Sequence, residues 1–143
     1  MKRHLGGLLA GLLLLASSCD YSAKQREAWK LVLRLYVAVS TCDGSELPQY
    51  VAYRAFRNRR LSDLQESVGR MCAQRGKVVD LRKLGSSQIE GDSPKTDGRL
   101  YCVNYRMGIE YAVIGRKVES IQVCSDEGEP GAPYRITSYE PGW

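Results

Sequence analysis

Histidine is nearly absent from this chain of 143 residues, and the only one, His4, lies close to the N-terminus. The rest of the chain therefore cannot build a Ser–His–Asp or Cys–His nucleophile, a histidine-assisted acid–base step or a His-ligated zinc site. The cysteines include no C-x-x-C pair, which removes the usual spacing of a cysteine-ligated metal or redox site. On this basis we expect no enzyme, no cofactor and no bound metal.

Long apolar runs are also missing. The run from Leu5 to Ala16 holds 12 residues, whereas a membrane-spanning helix needs about 20. The basic segment Met1–His4 precedes this run and the small residues Ala16–Ser18 follow it, which is the order of a secretory signal. The sequence thus predicts export, and an uncleaved membrane span is the weaker alternative.

Cys19 directly follows these small residues, as in the signal of bacterial lipoproteins, where this cysteine becomes the acylated N-terminus. Ordinary cleavage behind Ser18 is the competing interpretation. The chain has five cysteines, an odd number that leaves one without an internal partner after export, and acylation of Cys19 accounts for it. We predict a signal peptide over 1–18, lipid attachment (palmitate included) at Cys19, a tether over 19–23 and one domain over 24–143. Such a protein is anchored in the cell envelope and faces the periplasm, at the inner or the outer membrane.

The other four cysteines are candidates for disulfide bonds, because an oxidising compartment favours bridges over free thiols or a metal site; they are Cys42, Cys72, Cys102 and Cys124. A hairpin that turns near Gly115 would place Cys124 opposite a residue close to Arg106. Cys102 would then lie too far away for a bridge, which requires Cα atoms within about 7 Å. This geometry disfavours Cys102–Cys124 and, with it, Cys42–Cys72.

Helical periodicity dominates the first half of the domain. Capping boxes of the form S-x-x-Q at Ser22–Gln25 and Ser62–Gln65 predict two helix starts. The first helix is expected to end near Ser40, and the second at Gly76, where glycine is the usual stop. Between them, Pro48–Phe56 is typical of a short helix with proline in its first turn.

Strand periodicity replaces helical periodicity from Val78 onward. Apolar residues occupy every odd position from Tyr101 to Val113, which is typical of a strand with one buried face. Shorter strands are expected before this run, around Ile121 and over Tyr134–Tyr139. The order of elements predicts an α+β domain with about three N-terminal helices on one face of a four-stranded antiparallel meander.

Four segments of the chain carry a resemblance to a known family; in order they are Gly76–Arg82, Asp97–Tyr101, Lys117–Ile121 and Tyr134–Tyr139. Over residues 24–140 the sequence resembles a family of small uncharacterised exported bacterial lipoprotein domains with a cystatin-like α+β roll. The resemblance implies a fold, and it implies no known activity.

A dense basic run ahead of the last helix suggests a contact surface, formed by Arg54, Arg57, Arg59 and Arg60. Between Arg54 and Lys83 there are nine basic residues and three acidic ones, an excess that favours an anionic partner. Outside the cytoplasm this partner would be a headgroup surface, a cell-wall polymer or an acidic envelope protein, and not nucleic acid. A solvated helix surface is the alternative.

Two further groups have both a structural and a functional interpretation. The nine tyrosines either pack in the core or line a concave sheet face that holds a ligand. Glu110 and Glu119 flank one turn and form the best carboxylate pair for glycosidase chemistry, but ordinary solvent-facing residues are the favoured interpretation. The sequence thus predicts a lipid-anchored, non-catalytic binding or assembly-support module, with a small-ligand carrier or degenerate enzyme as the alternative.

Overall fold

The fold is seen in a computed structural model that describes residues 5–52, 55, 60–131 and 133–143, with side chains from residue 23 onward. Across the described residues there are two α-helices and then four strands: α1 (Leu5–Thr41), α2 (Leu64–Arg75), β1 (Val78–Asp92), β2 (Arg99–Tyr111), β3 (Gly115–Asp126) and β4 (Tyr134–Glu140). The 3₁₀ turns Leu47–Gln49 and Leu61–Asp63 lie between the helices. The α+β prediction is confirmed, with two helices where about three were expected.

The strands form one antiparallel sheet in the order β1-β2-β3-β4, so the predicted meander is confirmed. Odd-numbered residues of β2 are buried from Tyr101 to Tyr111, as their alternation predicts. They pack against the apolar side of α1, which contributes Val32, Leu35 and Val39. We call this helix-covered side of the sheet its inner face and the opposite side its outer face.

Helix α1 begins earlier than predicted, because it runs without a break from Leu5 through Ser22 to Thr41. Ser22 therefore lies inside the helix and is not its N-cap. The backbone of Cys19 is part of α1, but its side chain lies outside what the structure describes. Within the described residues, no helix combines the length and apolarity needed to cross a membrane.

Helix α2 ends as predicted and begins differently. Gly76 follows it with φ of 78° and donates its N–H to the carbonyl of Cys72 at 2.9 Å. The helix is capped at Asp63 without a side-chain hydrogen bond, and Ser62 belongs to the preceding 3₁₀ turn. The predicted capping box at Ser62 is therefore wrong.

The predicted helix over Pro48–Phe56 is also wrong: among its described residues, 48–52 and 55, no α-helix forms, and the 3₁₀ turn Leu47–Gln49 takes up its start. Val51 instead makes a parallel bridge to Ile136 of β4. Ile136 donates its N–H to the carbonyl of Tyr50 at 2.6 Å and accepts one from Ala52 at 2.8 Å. Tertiary pairing with β4 thus overrides the local helical pattern, and residues 50–52 cover the edge of the sheet at β4.

The cysteine pairing that the sequence disfavoured is the one found. Tyr111 pairs with Gly115, so the β2–β3 hairpin turns through residues 112–114, and this register sets Cys102 opposite Cys124. The two Cα atoms lie 4.1 Å apart and the residues are bridged. Cys42 and Cys72 form the second bridge, with Cα atoms 5.3 Å apart, between the end of α1 and α2. The predicted pairing is wrong because the turn is centred two residues earlier than Gly115.

Candidate binding surface and buried carboxylate

A buried carboxylate lies at the centre of the inner face. Glu119 of β3 is 3% exposed, although its neighbours in the sequence, Val118 and Ser120, are exposed. It occupies an odd position in line with the buried Ile121 and Val123, so the alternation of β3 turns it inward. The interpretation of Glu119 as a solvent-facing residue is wrong.

Three tyrosine hydroxyls from three different elements donate to this carboxylate. Tyr36 of α1 and Tyr139 of β4 reach Oε1 at 3.0 and 2.8 Å. Tyr111 of β2 lies 3.0 Å from both oxygens. Arg75, the last residue of α2, completes the set with a guanidinium nitrogen 3.4 Å from Oε2 and 2.6 Å from the Tyr139 hydroxyl. We call these five residues the Glu119 network.

The network keeps its tyrosines protonated. Burial, followed by the negative charge of Glu119, raises the pKa of Tyr111 to about 12. The same two causes raise the pKa of Tyr36 and of Tyr139 well above its ordinary value. The hydroxyls therefore remain donors at physiological pH. Since the oxygens of Glu119 are already occupied by these donors, the arrangement serves to join the helices to the sheet.

The proposed carboxylate pair does not come together. Glu110 pairs in register with Arg116, and their side chains form an ion pair with 3.8 Å between charged atoms. Across this hairpin even-numbered residues face even-numbered ones and odd-numbered residues face odd-numbered ones, so the two sets lie on opposite faces of the sheet. Glu110 therefore lies on the outer face and Glu119 on the inner face. Two carboxylates separated by the sheet cannot flank one glycosidic bond.

Most of the described tyrosines are core residues. Tyr36, Tyr101, Tyr105, Tyr111 and Tyr139 are all at most 4% exposed and belong to the interface between α1 and the sheet. The concave tyrosine-rich face is therefore filled by the protein's own helix. Of the two interpretations of the tyrosines, core packing describes these five.

The outer face carries a polar row that crosses all four strands. Ser87, Asn104, Gln122 and Ser138 pair in register from β1 to β4. Gln122 Nε2 donates to Asn104 Oδ1 at 2.9 Å, and Gln122 Oε1 accepts from the Thr137 hydroxyl at 2.9 Å. These bonds hold both amide side chains in fixed orientations.

A shallow groove of about 580 Å³ follows this row. Small side chains form its floor, and Arg106 supplies the one charged group among the residues that line it: Gly85, Ser86, Ser87, Asn104, Tyr105, Arg106, Ser120, Ile121, Gln122 and Ser138. Arg106 is exposed, and within the described part of the chain it forms no salt bridge. The groove thus offers hydroxyls, amides and one free guanidinium.

The remaining predicted site residues are placed as follows. Arg60 is exposed just ahead of α2, whereas Arg54, Arg57 and Arg59 lie outside the described residues. Cys102 and Cys124 are bridged beside the middle of the polar row, two residues along the strands from Asn104 and Gln122, where they fix the β2–β3 register. Among the side chains described, no group of three or more histidine, cysteine, aspartate or glutamate residues is placed to hold a metal.

Sequence reasoning missed both the Glu119 network and the polar row. Strict alternation along β3 would have assigned Glu119 to the same face as Ile121 and Val123. No local signal could have selected Arg75 or Tyr36 as its partners, since they come from separate helices. A scan against protein-family models and a search of curated proteins found no match to this chain.

Proposed function

We propose that this chain is a lipid-anchored domain of the bacterial cell envelope that binds without catalysis and has a cystatin-like roll. The observation that carries the proposal is the contrast between the two faces of the sheet. The inner face is filled by α1 and the Glu119 network, whereas the outer face presents a polar groove to solvent. Binding by this domain therefore takes place on its outer surface.

The chemistry of the groove indicates the class of ligand. Fixed amides at Asn104 and Gln122 supply paired donors and acceptors, and serines on either side add hydroxyls. Arg106 would receive a carboxylate in the two-pronged geometry that guanidinium favours. Peptidoglycan fragments combine hydroxyls, amides and carboxylates in one extended polymer, so we propose a cell-wall glycan as the ligand.

The basic run would add a second contact to the same kind of polymer. Arg60 is exposed, and the chain around it is rich in arginine. Arg54, Arg57, Arg59 and Arg60 as an anionic-partner surface stay a prediction. A contact of this type weakens as salt rises, because exposed charges are screened over about 10 Å at 0.1 M ionic strength.

Binding of soluble peptidoglycan fragments to the full chain in detergent tests the proposal. Ser120→Trp places a large ring in the middle of the groove, whereas Val113→Trp adds the same ring at the exposed hairpin turn. We expect the unchanged chain and Val113→Trp to bind the fragments and Ser120→Trp to lose binding. Arg106→Gln should bind them more weakly. If the unchanged chain binds no fragment, or if Ser120→Trp binds as well as Val113→Trp, the groove is not the ligand site.

A further inference from the structure

The two edges of the sheet are treated differently. The edge at β4 is short and covered by residues 50–52 through the bridge to Ile136. The edge at β1 is 15 residues long, and within the described residues no strand pairs with its outward side. Every residue from Arg82 to Ser87 is exposed. At the start of β1 the N–H of Val78 donates to Ser40 Oγ at 3.3 Å. Further along, an edge with unpaired N–H and C=O groups is a template for another strand.

Edge protection is confined to the first half of β1. Register shifts interrupt the pairing with β2 between Val78 and Asp80 and again between Lys83 and Gly85. Bulges and lysines are devices that discourage edge-to-edge pairing. From Gly85 to Asp92, by contrast, eight consecutive residues pair with β2 in unbroken register and include no lysine, arginine or proline. This second half remains available for a partner strand.

The charges along β1 suit a second copy of the same strand. Arg82 and Lys83 lie before the bulge, and Glu90 and Asp92 lie near the end. Two copies paired antiparallel about Ser87 or Gln88 set the basic end of each against the acidic end of the other. The bulge between Lys83 and Gly85 inserts one extra residue, which shifts Lys83 by one position along the strand. Lys83 then faces Glu90 of the second copy when the strands pair about Ser87, and Asp92 when they pair about Gln88. Opposite charges in facing positions stabilise such pairs, and a two-fold axis forms each contact twice.

We propose that the Gly85–Asp92 segment of β1 pairs antiparallel with the same segment of a second copy, which produces a continuous eight-stranded sheet. Gly85, Ser86 and Ser87 line the end of the outer-face groove next to this edge. The two grooves would therefore meet at the two-fold axis and form one longer polar surface. The dimer does not depend on the identity of any ligand.

Cysteine cross-linking of the purified full chain in detergent tests the pairing. Facing Cα atoms in an antiparallel pair lie about 4.5–5.5 Å apart, within the range of a disulfide. The single variants Ser86→Cys, Ser87→Cys and Gln88→Cys are oxidised with copper phenanthroline and compared on non-reducing gels. Val113→Cys is the matched control, since Val113 is 68% exposed and lies at the hairpin turn. The unchanged chain measures any background from Cys19.

We expect at least one of the three edge positions to give several-fold more disulfide-linked dimer than Val113→Cys. Lys83→Glu, added to that edge variant, should reduce the yield, and a further Glu90→Lys and Asp92→Lys exchange should restore it. Edge cysteines that cross-link no better than Val113→Cys would overturn the proposal. A charge exchange that fails to restore the yield would refute the self-complementary register.

Discussion

Removal of the buried carboxylate is the most direct test of how this fold is held together. Glu119 is 2% exposed at its side chain and Arg75 is 14% exposed, so both charges depend on each other and on the three tyrosines. Loss of one partner from a buried charge pair costs about 3–5 kcal/mol, because the other charge remains buried without compensation. A domain of this kind has about 5–15 kcal/mol of stability in total. Glu119→Ala should therefore remove a large share of it.

Two related variants separate charge from packing. Glu119→Gln keeps the shape and one acceptor oxygen, so its cost should be smaller, about 1.5–3 kcal/mol, as for a lost hydrogen bond to a charged group. Glu119→Leu combined with Arg75→Met removes both charges, and buried pairs replaced in this way are often neutral in stability or better. The double variant should thus be more stable than Glu119→Ala.

Urea unfolding, followed by tryptophan fluorescence, gives the free energies. The ring of Trp143 packs at a tilt against that of Tyr139 with ring centres 5.0 Å apart, so its emission reports on the edge of the network. Glu110→Ala is the control, since the Glu110–Arg116 pair is exposed and such pairs contribute about 0–1 kcal/mol. Equal losses for Glu119→Ala and Glu110→Ala would refute the reasoning, because they would show that Glu119 is not buried among its donors.

Three further predictions follow from the same structure. The raised pKa of Tyr111, about 12 against an ordinary 10.0, means that the folded chain favours the protonated tyrosine. The stability that it contributes should be complete below about pH 10 and fall as the pH rises toward 12, which unfolding free energies at pH 9 and 11 would show. Full tyrosinate absorbance near pH 10 in the folded protein would contradict this prediction. The bridges Cys42–Cys72 and Cys102–Cys124 close loops of 30 and 22 residues. Their reduction should therefore cost about 3–4 kcal/mol of stability for each bridge and lower the Tm. Four reactive thiols in the untreated folded chain would rule the bridges out. The proposed lipid anchor requires that Cys19→Ser release the protein from membranes and abolish incorporation of labelled fatty acid. Retention after a carbonate wash would favour the alternative of an uncleaved membrane span.

The elements that the sequence predicted well are those whose signal is local. The alternation from Tyr101 to Tyr111 specifies a strand with one buried face, and Gly76 specifies where α2 ends, since only glycine readily adopts its positive φ. The change of period at Val78 separated the helical half from the sheet half. The length of the apolar run Leu5–Ala16 and the position of Cys19 are also properties of the sequence alone.

Contacts between distant segments decided the rest. A turn at residues 112–114 in place of one near Gly115 shifted the register and reversed the cysteine pairing. Val51 is not in a helix, although its sequence pattern predicts one, because its backbone pairs with Ile136 of β4. Glu119 became a buried centre because donors from α1, α2, β2 and β4 converge on it, and burial of a charge is tolerated only where such donors meet. Periodicity assigns a residue to a face of its own element, but only packing determines what lies opposite that face.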